Sequence, residues 1–261
     1  MSVTETYLFD LYGTLIDIHT DQTMPSLWKR MAIHYSIYGA DWKPQQLKEA
    51  YYRMCGQEAE KLLGKTVQEP EIDLLTVFRR MYEEAPAHHR TEKPAAIDED
   101  WLYMTANVFR TISRKKLKLY PDTVPVLKQL KKEGKKIYLL SNAQHAFTVP
   151  EMEMTGIYDF FDGIFISSDC GIKKPQKEFM EKLLETYHID RQSAVMVGNE
   201  IRSDVLTAHA CGVDSVYLNT SGFTDSEIRK QMREYIADPG YKPLIIKDGR
   251  LSHLLHGGNN A

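Results

Sequence analysis

Four places along the chain put groups capable of chemistry at the end of a short apolar run. Asp10 follows Tyr7-Leu8-Phe9, Ser141 and Asn142 follow Ile137-Tyr138-Leu139-Leu140, and Asn199, Glu200 and, one turn on, Asp204 follow Ala194-Val195-Met196-Val197. Gly163-Ile164-Phe165-Ile166 is followed by Ser167-Ser168-Asp169, which leads to Lys173-Lys174-Pro175. Runs that are apolar throughout, without alternation, read as strands of a parallel sheet covered on both faces. In such a sheet ligands bind beyond the carboxyl ends of the strands. The set suits a carboxylate nucleophile acting on a charged group. Neighbouring acidic side chains repel one another unless a cation lies between them, so Asp10 with Glu200 or Asp204 implies a hard divalent ion held by oxygens, most simply Mg²⁺. A lysine and the metal would together offset charge on a transferring phosphoryl group, while Ser141 and backbone amides hold its oxygens.

The elements that must position these groups are legible in outline. Strands are expected at the four runs above and at Ser215-Val216-Tyr217-Leu218 and Leu244-Ile245-Ile246, with amphipathic helices between them such as Val124-Val126-Leu127-Leu130 and Phe179-Met180-Leu183-Leu184. Alternation of strands and helices predicts an α/β core. Residues 18–118 break the rhythm: apolar positions recur at helical spacing without strand runs, and Pro25, Pro44, Pro70, Pro86 and Pro94 divide the stretch into four or five helices. Trp28, Ile33 and Tyr35, and Trp101, Met104, Val108 and Ile112, are expected to pack that unit's own core. The basic clusters Arg114–Lys118 and Lys131–Lys136 flank helix ends and read as solvated faces.

Composition limits the classes. The 261 residues carry 33 Lys and Arg against 36 Asp and Glu, a formal charge of −3, which leaves no positive field for a nucleic acid. Three widely spaced cysteines, Cys55, Cys170 and Cys211, suggest neither a disulfide framework nor a zinc site and predict reduced thiols in a cytoplasmic protein. The start MSVTETYLFD is unlike a signal peptide, no apolar run approaches the ~18 residues of a membrane span, and the tail Gly257–Ala261 is expected to be disordered. A dinucleotide loop, a phosphate-binding P-loop and a serine-hydrolase elbow are all missing.

The order and spacing of these groups resemble the haloacid dehalogenase (HAD) superfamily over essentially the whole chain. Phe9-Asp10-Leu11-Tyr12-Gly13-Thr14-Leu15 is similar to the family's first motif, Leu140-Ser141-Asn142 to its second, Lys174-Pro175 to its third, and Gly198-Asn199-Glu200 through Asp204 to its fourth. The resemblance implies a Rossmann-like α/β core with a parallel sheet flanked by helices, formed by residues 1–17 and 119–261, and an all-helical cap domain over 18–118. It implies that Asp10 forms a covalent aspartyl intermediate, Thr14 supports its loop, Ser141 and Asn142 bind the transferring group with Lys174, and Lys174 offsets negative charge. It further implies that Asp10, the backbone carbonyl of Tyr12, Glu200 and Asp204 form the Mg²⁺ site.

Two departures shape the functional expectation. Tyr12 stands where phosphatases of the family carry a second Asp that shuttles protons, and a phenol with a reference pKa of ~10 is a poor shuttle near neutrality. Asn199 stands where many have Asp, and Glu200 can substitute. The leading expectation is a Mg²⁺-dependent phosphatase of a small phosphorylated metabolite, favouring leaving groups that depart as stable anions. The alternatives are a metal-independent 2-haloacid dehalogenase, which shares the tyrosine but would want an arginine near Lys29 or Arg30 and a tyrosine near Phe179 or Met180, and a catalytically weak member that binds a small molecule.

Overall fold

A computed structural model describes residues 4–64, 66–89 and 97–256. Pro94 and the tail Gly257–Ala261 lie outside the described residues. The chain opens with β1 (Thr6–Phe9), a turn, and β2 (Ile16–Thr20), then runs through α1 (Pro25–Ile37), β3 (Ala40–Asp41), α2 (Pro44–Leu62), α3 (Leu74–Glu83), β4 (Ala87–His88) and α4 (Glu99–Ser113). It returns along β5 (Arg114–Leu119) to α5 (Thr123–Lys132), β6 (Lys136–Ser141), α6 (His145–Met154), β7 (Gly163–Ile166), α7 (Ser167–Cys170), α8 (Lys177–Thr186) and β8 (Ala194–Gly198). A π-helical turn over Ile201–Val205 feeds α9 (Leu206–Cys211), and β9 (Asp214–Leu218), α10 (Asp225–Tyr235) and β10 (Leu244–Ile246) follow.

Six strands form one parallel sheet in the order β10-β9-β8-β1-β6-β7, so all six expected strands are present and share a sheet. Their continuous apolar character has the expected cause. Tyr7, Phe9, Ile137, Leu139, Val195 and Val197 pack on one face, and Leu8, Tyr138, Leu140, Ala194 and Met196 on the other, so neither side meets water. Each large apolar side chain fully buried this way contributes about 1.5–3 kcal/mol. The first strand lies centrally, with Phe9 beside Leu139 of β6 on one side and Val197 of β8 on the other. The chain ends of β1, β6 and β8 therefore open at one edge.

Four helices, α1 to α4, form the inserted unit around a core that includes Trp28, Met31, Tyr35, Tyr51, Phe78, Met81, Trp101 and Phe109. Pro25 and Pro44 stand in the first turns of α1 and α2, where the missing N–H has no helical acceptor to lose. Ile33 and Met104, expected in that core, are instead 62% and 39% exposed, because their faces of α1 and α4 turn outward. The unit is not purely helical: the two-residue strands β3 and β4 pair within it. Two connections leave and enter the sheet domain as an antiparallel ribbon, β2 with β5, in which Leu117 pairs with Ile18 and Leu119 with Ile16. The cluster Arg114–Lys118 follows the end of α4, as expected, and continues as a ribbon strand; its lysines face outward, with Lys116 paired with Asp17, while Arg114 turns in to the buried Glu151. Among the described residues no helix is long and apolar enough to cross a membrane.

Candidate active site

Asp10 is the first residue beyond β1, and its N–H donates to Val197 O at 3.0 Å, continuing the ladder with β8 and fixing where its side chain leaves the sheet. The chain then turns sharply, with the amides of Thr14, Leu15 and Ile16 all donating to Leu11 O. Gly13 adopts φ +85°, and a Cβ there would overlap the Asn199 side chain. Thr14 Oγ1 lies 3.2 Å from both Asp10 Oδ2 and Asn199 Oδ1, which ties the turn to the end of β8.

Lys174 sits at the centre. Its side chain is buried, and Nζ donates to Asp10 Oδ1 at 2.9 Å, to Asp204 Oδ1 at 2.7 Å and to Leu140 O at 2.7 Å. All three ammonium protons are therefore accounted for. Ser141 Oγ stands 3.5 Å from Asp10 Oδ1, at the long end of hydrogen bonding. The π-helical turn after β8 delivers Asp204, whose second oxygen accepts from Glu200 N at 3.0 Å. Gly198 has to be glycine, since a Cβ would overlap the Asp204 carboxylate.

Two carboxylates share one buried ammonium, and the electrostatics follow. Burial, reinforced by the charge of Asp10, raises the Asp204 carboxyl to about 6 against the pull of Lys174. Burial disfavours the charged form of Lys174, but the two carboxylates outweigh it and hold the ammonium above its ordinary range. These residues line a pocket of about 150 Å³ together with Tyr12, Asn142, Asn199, Glu200 and Ser203.

Asp10, Ser141, Lys174 and Asp204, expected beyond four different strands, are thus brought together, with Thr14 beside Asp10. Three other expected residues also line the pocket, and their side chains are engaged by the protein. Asn142 lines the pocket, and its amide accepts from Lys174 N at 2.8 Å and donates to Lys174 O at 2.9 Å, so the side chain positions the backbone of Lys174. Glu200 also lines the pocket, with Oε2 accepting from Ser203 Oγ at 2.9 Å. The hydroxyl of Tyr12 donates to Glu151 Oε2 at 2.5 Å, away from any proton-shuttling partnership with Asp10.

That last contact belongs to a network that the sequence did not disclose. Glu151 on α6 is buried and receives Arg110 Nε at 2.7 Å and Arg114 at 2.9 Å. Burial opposes its ionisation, but Arg110 and the other donors prevail and hold the carboxyl below its ordinary range. Tyr12 is moved the other way: burial, and next the charge of Glu151, push its phenol well above the usual range. A glutamate in one helix and two arginines around the end of another carry no local signal of pairing.

No three side chains of His, Cys, Asp or Glu converge as a ready-made cation cage among the described residues. The donors near the pocket are nonetheless all hard oxygens, and two carboxylates against one ammonium leave negative charge in a confined space. A small divalent ion that keeps several waters needs only one or two carboxylates from the protein, so this set fits such an ion better than a soft or fully caged metal.

A second, larger cleft of about 510 Å³ lies between the inserted helices and the sheet domain, and shares Tyr12 and Asn142 with the smaller pocket.

Known proteins place this arrangement. The chain is 27% identical over 132 residues to the glyceraldehyde 3-phosphate phosphatase of Methanothermobacter thermautotrophicus, covering 51% of this chain and 56% of that protein. It is 24% identical over 223 residues to the phosphoglycolate phosphatase of Agrobacterium fabrum, covering 84% and 81%. The matches to the glyceraldehyde 3-phosphate and ribulose-1,5-bisphosphate phosphatases span about half the length of those proteins. Among solved structures, a 2-haloacid dehalogenase from Pseudomonas syringae pv. Tomato DC3000 superposes with a TM-score of 0.60 at 19% identity, covering 97% of each chain, which shows a shared fold. The family model for haloacid dehalogenase-like hydrolases matches residues 4–212, the stretch that carries every group gathered around Lys174, and the chain belongs to that family.

Proposed function

We infer that the protein is a Mg²⁺-dependent phosphatase of a small phosphorylated molecule and that Asp10 is its nucleophile. The observation that carries this reading is the Lys174 ammonium held between Asp10 and Asp204 at the open ends of β1 and β8. Lys174 and Thr14 fix the plane of the Asp10 carboxylate, so that attack on phosphorus starts from an oriented group. As the bond from Asp10 to phosphorus forms, the bond from phosphorus to the leaving oxygen breaks and the electron pair leaves on that oxygen. Water then attacks the aspartyl phosphate, returning the pair to Asp10 and releasing a proton to solvent. Ser141 and neighbouring amides bind phosphoryl oxygens, while Lys174 offsets charge throughout. Mg²⁺, with Asp10, Asp204 and the Tyr12 carbonyl as its holders and Glu200 beside them, supplies further charge neutralisation and orientation.

Residues 1–17 and 119–261 act as the catalytic core in this reading, and 18–118 act as a cap that covers the cleft and excludes water. The phosphatase names of the relatives agree with it. Three free cysteines suit a reducing cytoplasm, and a formal charge of −3 offers no positive field for a nucleic acid.

Phosphate release by the full chain tests the reading. Turnover is expected with Mg²⁺, is lost on chelation and returns on adding Mg²⁺; Asp10→Asn lowers kcat by about 10³-fold or more. Activity that survives both treatments overturns it. Tyr12 favours the rival dehalogenase, because a halide leaves without a proton. However, Lys29 and Arg30 are exposed and Phe179 and Met180 are buried in the core, so neither expected pocket residue is supplied. Chloride release from 2-chloropropionate without metal would decide for the rival.

A further inference from the structure

From the cleft we propose that the substrates of this phosphatase are monoesters whose leaving group is an uncharged aryl ring, in preference to phosphorylated acids. The proposal rests on the reading above and narrows it. The large cleft adjoins the nucleophile's pocket through Tyr12 and Asn142, so a phosphoryl group beside Asp10 directs its leaving group there. The wall is ring-rich. Phe147 and Tyr12 come from the sheet domain, and Tyr52 on α2 is left 46% exposed on the opposite side, braced by Trp28 at 6.1 Å between ring centroids.

The wall's charges point the same way. Among the described residues its one cation is Arg110, already bidentate with Glu151 at 2.7 and 3.0 Å and lying over the Tyr12 and Phe147 rings at 5.5 and 5.0 Å. The other charged lining residue, Glu71, is acidic. A carboxylate or second phosphate on the leaving group would find no unpaired cation among the described residues of this wall, and beside it the Glu71 carboxyl, already held by Gln144, Ser167 and Lys173. The chemistry of departure agrees independently. Tyr12 holds its proton for Glu151 and does not protonate the leaving oxygen, which favours a leaving group that is stable as an anion. A phenolate, whose acid has a pKa of ~10, does so far more readily than an alkoxide, close to water at about 15.7. The bond from Asp10 to phosphorus forms, the bond from phosphorus to the aryl oxygen breaks with its electron pair, and the phenolate takes a proton from solvent.

Steady-state kinetics of the full chain with Mg²⁺ test this on phenyl phosphate, benzyl phosphate, 2-phosphoglycolate and acetyl phosphate. Phenyl phosphate is expected to exceed 2-phosphoglycolate in kcat/KM by about tenfold or more. Benzyl phosphate should share its KM but turn over more slowly. Tyr52→Ala, at an exposed position, should lower the ratio of kcat/KM for phenyl to acetyl phosphate by about 3- to 10-fold. Equal or better use of 2-phosphoglycolate, or an unchanged ratio in Tyr52→Ala, overturns the proposal. If no ester is hydrolysed the phosphatase reading falls; calorimetry of Asp10→Asn with phenyl phosphate and 2-phosphoglycolate still reads the preference, and tighter binding of the acid refutes it.

Discussion

The Tyr12 hydroxyl donates to Glu151 Oε2 at 2.5 Å, joining the loop two residues beyond the nucleophile to a helix 139 positions further along the chain. Arg110 and Arg114 hold Glu151 ionised from the side of the inserted helices, so one buried carboxylate connects the nucleophile's loop, α6 and the end of α4. The phenol of Tyr12, pushed up by burial and then by Glu151, keeps its proton at any physiological pH.

Tyr12→Phe therefore separates structure from proton transfer. Turnover is expected to stay within about threefold, while chemical denaturation reads a loss of about 1–3 kcal/mol from the missing bond to a charged acceptor. A fall of about 10²-fold or more in kcat would reveal a shuttling role instead.

Lys174→Met leaves Asp10 and Asp204 buried without their counter-charge. A loss of about 3–5 kcal/mol is expected at pH 8, along with turnover. Burial and Asp10 already raise the Asp204 carboxyl to about 6 against the pull of Lys174; without that pull it lies higher still, so the variant's burden is absent where the group is protonated and grows as pH rises above about 6. The deficit of the variant should accordingly shrink at pH 5, as urea midpoints at the two pH values would show.

Gly198→Ala forces a Cβ into the Asp204 side chain, which is buried and hydrogen-bonded at both oxygens. The expected outcome is a loss of about 1–3 kcal/mol together with reduced turnover. Wild-type stability and kcat in this variant would show that the end of β8 can move aside without cost.

Glu71 gives a pH signature away from the nucleophile. Burial raises its carboxyl despite Lys173 at 3.9 Å and hydrogen bonds from Gln144 and Ser167. A raised folded value means that its contribution is fully present below the ordinary 4.5 and is lost as pH rises through the folded value. Compared with Glu71→Gln, the wild type should lose relative stability between about pH 4 and pH 8. A difference that is flat or rises with pH would contradict the assignment.

The sheet was legible because its signal is local. Runs such as Leu139-Leu140 and Met196-Val197 are apolar on both sides for the reason that both sides are covered, and the groups just beyond them, from Asp10 to Asp204, had to emerge at one edge. The ribbon strand Arg114–Leu119 was hidden because four of its six side chains are basic, and only pairing with Ile16 and Ile18 gives Leu117 and Leu119 an inward side.

Sequence alone thus determined the α/β core, the inserted helices and the residue types at the strand ends, because burial imposes a period on the chain that neighbours in sequence reveal. Only the tertiary structure decided that Asn142 clasps the backbone of Lys174, that Tyr12 is bound to Glu151, and that Arg110 in the cleft is already neutralised. Those are pairings between charged and polar groups far apart in the chain, each of which, read locally, is indistinguishable from a solvated side chain.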